Sequence, residues 1–294
     1  MEAIILVAGR GERLRPITNH VTKPMIPFCG RPFLQYTLES LRGLVSRAII
    51  VINYKGEQIK SHFGSRWREL PLHYVRQPTL CGTGDALLVA RNLVREPFLV
   101  ILGDVYASRE LLQALMEHES PNVLALTKVN DPENHVGVDF EDGRVTGLWT
   151  LNPWVDRGLW KFSPAIFESL VQAERRDSIL RALRGVEAML KAGERVEVLL
   201  SDEPWIQLGD HAARQSVLDA CHFFLRQQGR VYYGEGKNCQ IYGSSLEVTA
   251  ENCHIVNSVV FGRGKLLNSR VESSVVLCRW NTENVDLKGE IIIL

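Results

Sequence analysis

The 294-residue chain has no excess of either charge, with Lys plus Arg and Asp plus Glu at 34 each. Without a global basic field, neither nucleic acid nor an anionic membrane surface is an expected partner, and any anion must be held by a local cluster. No apolar run approaches the roughly 20 residues that a membrane-spanning helix requires. The six cysteines, Cys29, Cys81, Cys221, Cys239, Cys253 and Cys278, include no CxxC pair. Together with the lack of a charged-then-apolar leader, that predicts a cytoplasmic protein. Two common phosphate-binding signatures are missing as well. Leu14 stands where a dinucleotide-binding turn would carry its third glycine, and Gly-Lys-Ser/Thr occurs nowhere.

What the chain does have is alternation. Residues 3–7 form a continuous apolar run ending at Ala8-Gly9, the pattern of a strand buried on both faces. From Pro32, the residues Phe33, Leu34, Leu38, Leu41 and Leu44 recur at helical spacing, and Ala48–Ile52 reads as a second strand. Further helices are predicted near Gly56–Phe63 and over 85–94, with strands near 72–75 and at Phe98–Leu102. This predicts an α/β, Rossmann-like open mixed, mostly parallel sheet with helices on both faces, whose ligands bind beyond the carboxyl ends of the strands. Over 123–162 short β segments and the turn Glu141-Asp142-Gly143-Arg144 predict a partly antiparallel lobe added to that sheet. Helical patterns return at 164–174, 178–192 and 211–228, with a strand near 196–200.

After Gly229 helical periodicity ends. Ile241, Leu246, Val248, Ile255, Val260, Leu266, Val271 and Val276 recur about every five to six residues. Such short repeats predict a small β-solenoid, with an ordinary antiparallel sheet as the alternative. The domains are therefore expected at 1–228 and 229–294.

Chemistry concentrates just after the strands. Gly9 and Gly11 allow backbone N–H groups to turn toward an anion, and Arg13, Arg15 and Lys23 follow closely. Cations so placed can clamp a triphosphate and neutralise charge on a leaving pyrophosphate. In the second block, Gln77-Pro78-Thr79-Leu80-Cys81-Gly82-Thr83-Gly84-Asp85, the glycines allow tight packing and Thr83 can cap the following helix. The third block ends a buried strand with Gly103-Asp104, and one carboxylate of that kind suffices to begin a magnesium site.

The run Leu6-Val7-Ala8-Gly9-Arg10-Gly11-Glu12-Arg13-Leu14-Arg15-Pro16, with Thr18, Lys23-Pro24 and Gly30-Arg31-Pro32, resembles the opening of the sugar-1-phosphate nucleotidylyltransferases, with Val7 and Glu12 as departures. The resemblance implies an enzyme that joins a nucleoside triphosphate to a sugar 1-phosphate-like acceptor and releases pyrophosphate, with Mg2+ as cofactor. It implies that Leu6, Ala8, Gly9 and Gly11 line the nucleotide, that Arg13 and Lys23 hold its phosphates, and that Asp104 is the first metal ligand. Gln77 would pair with a pyrimidine edge beside Gly82 and Thr83, favouring UTP or dTTP, although relatives using ATP or GTP share much of this block. A short left-handed β-helix-like tail and a homo-oligomer are implied too.

The resemblance frays on the acceptor side. Trp205-Ile206-Gln207-Leu208-Gly209-Asp210 carries Gln207 where the family places its second metal carboxylate, leaving Gln207 or Asp210 for that role. Thr150-Leu151-Asn152-Pro153 stands where the family has Glu-Lys-Pro, while Gly137 matches the family glycine against the sugar ring. Arg157 is the candidate replacement for the missing phosphate cation. An unusual acceptor, such as a cyclitol phosphate or a deoxy or heptose sugar phosphate, fits these losses. Two rival readings remain open: a catalytically weak regulatory or scaffolding homologue that binds nucleotide, and a bifunctional enzyme whose tail transfers acyl groups.

Overall fold

The computed structural model describes residues 1–209 and 213–228 and, beyond them, the backbone of short strands between residues 236 and 293 with a few of their side chains. Contacts divide the chain into two units, one of Met1–Gly9 and Tyr36–Trp205, the other of Arg10–Gln35 and Ile206–Leu294. The first elements in chain order are β1 (Ala3–Leu6), β2 (Pro27–Phe28), β3 (Arg31–Pro32), α1 (Phe33–Leu41), β4 (Ala48–Ile52) and α2 (Gly56–Phe63). Then come β5 (Arg66–Trp67), β6 (Leu70–Arg76), α3 (Thr83–Leu88), β7 (Phe98–Leu102), α4 (Arg109–Glu117) and β8 (Val123–Lys128). The rest are β9 (Gly137–Glu141), β10 (Arg144–Thr150), β11 (Trp154–Phe162), α5 (Ala165–Gln172), α6 (Ala182–Lys191), β12 (Glu197–Leu200) and α7 (Ala213–Gln228).

The first unit is built on a ten-stranded sheet in the order β5-β6-β4-β1-β7-β11-β8-β12-β10-β9. β1 lies parallel between β4 and β7, and β4 pairs parallel with β6. Every residue of β1 and of β4 is buried, which is why both read as uninterrupted apolar runs. The core packs Ile4, Val51, Leu87, Val100, Trp160 and Val186 together across the sheet and its helices.

The other half keeps one parallel pair, β12 with β8, and is otherwise antiparallel. β11 runs antiparallel between β7 and β8, and β10 runs antiparallel to both β12 and β9. The sheet is therefore mixed, and the 123–162 strands are integral to it instead of forming an added lobe. Short connections cause this: Asp142 (φ 48°) and Gly143 (φ 77°) close the β9–β10 hairpin, and a two-residue turn can join only antiparallel neighbours. Two helices are also shorter than their patterns predict. α3 gives way to a 3-10 turn at Arg91–Leu93, and α6 begins at Ala182 because Arg176 and Ile179 bridge each other across positive-φ Asp177 and Ser178.

The second unit opens with 3-10 turns at Glu12–Leu14, Ile17–Asn19 and Lys23–Met25, followed by the β2–β3 ladder. Phe28 and Phe33 meet at 5.8 Å, and Phe224 of α7 lies 5.8 Å from Phe28 and 6.1 Å from Phe33. Beyond α7 the short strands pair in parallel, Ile255 opposite Val271 and Val260 opposite Val276, with these four side chains fully buried. No helix among the described residues is long and apolar enough to cross a membrane.

Candidate active site

Parallel pairing brings two of the sequence blocks to one edge of the first unit. Leu6 lies opposite Leu102, so Ala8-Gly9 and Gly103-Asp104 leave the sheet side by side at its carboxyl end. Gly103 N–H donates to the Leu6 carbonyl at 2.9 Å. Leu6 and Ala8 are buried, Gly9 is exposed and Asp104 is partly exposed, so backbone and carboxylate are offered where the strands stop.

The second block follows β6 on the same side of the sheet. Gln77 N–H donates to the Ile52 carbonyl at 2.9 Å, and Asn53 Nδ2 donates to the Gln77 carbonyl at 2.6 Å. The Gln77 side chain is buried and its Nε2 donates to the Gly82 carbonyl at 3.0 Å. Gly82 has φ 107°, and a Cβ there would sit 2.2 Å from the Leu180 carbonyl oxygen, so only glycine fits. Thr83 does not cap α3. Its hydroxyl instead accepts the Ala182 N–H at 3.0 Å, joining the loop to the first residue of α6.

In the second unit the two cations named by the motif turn toward one segment. Lys23 Nζ donates to the Leu208 carbonyl at 3.2 Å and Arg13 Nη1 to the Gly209 carbonyl at 3.4 Å. Thr18 Oγ1 closes the loop by donating to the Gly11 carbonyl at 2.8 Å. Arg13 is exposed and Lys23 half-buried, whereas Arg15 points away into an exposed pair with Glu12 at 3.1 Å. Gln207, partly exposed, directly precedes the two carbonyls; Asp210 lies outside the described residues.

Among the residues expected to face an acceptor, Gly137 pairs with Thr150 in register, and the Thr150 carbonyl oxygen occupies the space within 2.3 Å of where a Cβ would go. Asp139 Oδ1 accepts from Thr150 Oγ1 at 3.0 Å and from Asn152 Nδ2 at 3.1 Å. That network was invisible in the sequence because it depends on the β9–β10 register. Arg157 is neither an open cation nor a solvated edge residue: it is 1% exposed. Its Nη1 donates to Ser201 Oγ at 2.9 Å and to the Glu203 carbonyl at 3.1 Å, and its Nη2 to the Pro204 carbonyl at 3.1 Å. Trp205 Nε1 returns a bond to the Arg157 carbonyl at 3.3 Å. Burial pulls the guanidinium down to about 10, so it stays charged at neutral pH. Next to it, Asp156 accepts from Trp160 Nε1 at 2.6 Å, and desolvation pushes its carboxyl up to about 6.

Both residues sit in a bulge of β11, where Asp156 pairs with Leu126 but Trp160 already pairs with Leu124. The extra residues turn Gly158 against Leu102, directly before Gly103-Asp104. Bulges of this kind commonly re-aim strands beside functional sites. Within the first unit, backbone and one carboxylate able to begin a cation site meet at the strand ends; within the second, Arg13 and Lys23 supply positive charge of the kind that holds phosphate.

A family model described as nucleotidyl transferase matches residues 2–223. The chain belongs to the nucleotidyl transferase family. Similar curated proteins include the bifunctional protein GlmU of Methanococcus maripaludis (strain C5), 33% identical over 186 residues that cover 60% of this chain and 44% of the relative. GlmU of Methanocaldococcus jannaschii is 33% identical over 215 residues, covering 71% of this chain and 51% of the relative. The chain thus spans about half the length of these relatives. The UTP–glucose-1-phosphate uridylyltransferase AglF of Haloferax volcanii is 27% identical over 67% of this chain and 91% of its own. Among solved structures, a UDP-glucose pyrophosphorylase complexed with UDP-glucose superposes with a TM-score of 0.69 at 18% identity, over 77% of this chain and 99% of the other. That likeness shows the mixed α/β nucleotidyltransferase fold.

Proposed function

We propose that this nucleotidyl transferase family member transfers a nucleotidyl group, from UTP or dTTP in preference to other triphosphates, to a sugar 1-phosphate or sugar-like phosphate. An oxygen of the acceptor phosphate attacks the α-phosphorus, that P–O bond forms as the bond to the β-phosphate oxygen breaks, and pyrophosphate leaves. No covalent intermediate with the protein is needed, so catalysis rests on positioning and charge stabilisation. The observation that carries this reading is the convergence of Arg13 and Lys23 on the Leu208 and Gly209 carbonyls. Two cations fixed near one turn suit the β and γ phosphates and the charge that develops on them.

The pyrimidine preference is supported by Gln77. With one N–H given to Gly82, its amide still offers a second N–H and Oε1 side by side, the complement of a pyrimidine N–H and carbonyl. Asp104 fits as the anchor of a magnesium ion, which when bound supplies neutralisation of phosphate charge. Magnesium takes one or two carboxylates plus substrate phosphates, and no cluster of three His, Cys, Asp or Glu side chains is found among the described residues. Gln207 or Asp210 would complete it. On the acceptor side, Asp139, Thr150 and Asn152 supply neutral and anionic groups where a lysine would grip phosphate, which favours an unusual acceptor. Arg157 is read as the clamp that fixes the 201–204 segment, with Gly137 keeping the β9–β10 wall close. The parallel tail strands and their buried Ile255, Val260, Val271 and Val276 support a small solenoid over 229–294, following a transfer domain over 1–228 and serving packing or homo-oligomer contacts.

Pyrophosphate release measured for UTP, dTTP, CTP, GTP and ATP, each with sugar 1-phosphates and cyclitol phosphates and with Mg2+ or EDTA, tests the reading. Release is expected only with an acceptor and Mg2+, fastest with UTP or dTTP, and Arg13→Ala should lower kcat/KM by about 100- to 1,000-fold. Nucleotide binding without release across the whole panel would instead mark a regulatory or scaffolding homologue.

A further inference from the structure

A cavity of about 570 Å3 opens between the end of β6 and the face of α3 that carries Asp85 and Leu88. That volume is in the range of small-molecule sites. Of the residues assigned above to the nucleotide, only Gln77 borders it; Leu6, Ala8, Gly9, Gly82 and Thr83 do not line it. It is a separate space that shares one wall with the nucleotide loop.

Its chemistry is lopsided. Arg76, Arg91 and Arg175 all line it, against Asp85 as the one carboxylate. Arg175 is committed to Asp85, Nη1 to Oδ2 at 2.6 Å and Nη2 to Oδ1 at 2.7 Å. The exposed Arg76 and Arg91 make no ion pair with a described carboxylate, so two positive charges remain uncompensated at one opening. The rest of the lining divides between apolar Val75, Pro78, Leu88 and Val89 and polar Thr79, Cys81 and Asn92. Guanidinium pairs match phosphate oxygens in charge and planar donor geometry, and the apolar wall accepts a hydrocarbon or aromatic body.

We propose that this groove is a second ligand site, for a dianionic phosphomonoester carried on an apolar or aromatic body, and that its occupancy adjusts the nucleotide loop. Its walls explain the coupling. Arg76 immediately precedes Gln77, α3 starts at the Gly82-Thr83 turn, and the Gln77 Nε2 to Gly82 bond ties the two walls together. A ligand bridging β6 and α3 therefore loads the two elements that carry those residues. The site itself does not depend on the proposed reaction; only the coupling does.

Phenyl phosphate is a suitable probe, titrated by calorimetry into the full chain. It is expected to bind the wild type, and binding should weaken at least tenfold in the double variant Arg76→Gln/Arg91→Gln, whose sites are on the surface. It should persist in Arg13→Ala/Lys23→Ala. No binding to the wild type, or equal binding to the Arg76→Gln/Arg91→Gln variant, overturns the site. Loss in the Arg13→Ala/Lys23→Ala variant places the probe at the nucleotide phosphates and overturns it as well. An independent readout is alkylation of Cys81 by iodoacetamide, resolved by mass spectrometry with buried Cys29 and Cys221 as references. Phenyl phosphate should slow it in the wild type and not in the Arg76→Gln/Arg91→Gln variant. Saturating probe should also change UTP affinity at least threefold. An unchanged affinity in a chain that binds UTP overturns the coupling, whereas a chain that binds phenyl phosphate but no UTP refutes the transferase reading and leaves the site standing.

Discussion

Asp156 is held as an acid that folding prefers to keep protonated. Desolvation raises it from 3.8 to about 6 even though the Trp160 and Gly158 N–H groups favour the charged form. Because the folded value lies above the unfolded one, the stabilising contribution is full below about pH 4 and is lost as pH rises through about 6. The stability difference between Asp156→Asn and wild type should therefore shift in favour of the variant by on the order of 2–3 kcal/mol between pH 4 and pH 7.5. Thermal melts at the two pH values check this, and a difference independent of pH would refute it. How such a residue is buried cannot be read from the sequence. Asp156 and Arg157 owe their surroundings to a bulge in β11 and to the 201–204 segment, a pairing between distant stretches. Arg13, Lys23 and Asp104 were legible as candidates because they belong to contiguous motifs at strand ends. The Asp139–Thr150–Asn152 network was not, since its bonds follow the β9–β10 register.

Among the elements, the glycine turn before α3 carries a severe backbone steric demand. Gly82→Ala would place a methyl 2.2 Å from the Leu180 carbonyl at φ 107°, and α3 cannot retreat without losing the Gly84 N–H bond to that same carbonyl at 2.8 Å. The cost should be about 2–4 kcal/mol, read as a fall in melting temperature of roughly 5–15 °C. A change within 1 °C would mean that the loop adapts. Legibility at this scale followed burial. β1, β4 and β7 were found because strands covered on both faces must be apolar throughout; the antiparallel strands over 123–162 were expected too, but as an added lobe, because the insertion of β11 between β7 and β8 that makes them part of the main sheet is a long-range pairing. The start of α6 was missed for a related reason: a bridge between Arg176 and Ile179 and the Thr83 hydroxyl set it, not helical spacing.

At the scale of the molecule, contacts group segments that lie far apart along the chain. Arg10–Gln35 groups with Ile206–Leu294, so the opening glycine motif is split between units directly after Gly9. A linear reading treats that motif as one object. The spacing of apolar residues after Gly229 was visible without structure, and Ile255 and Val260 pair in parallel with Val271 and Val276. The family match over residues 2–223 covers the whole ten-stranded sheet and most of α7, so the proposed chemistry rests on the part of the chain shared with its relatives. Its central claim is that Arg13, Lys23 and Asp104 receive one triphosphate. A crystal structure of the full chain with Mg2+ and the non-hydrolysable analogue α,β-imido-UTP tests this most directly. The β and γ phosphates are expected within about 3 Å of the Arg13 guanidinium and Lys23 Nζ, with the metal on Asp104. A triphosphate bound away from all three would contradict it.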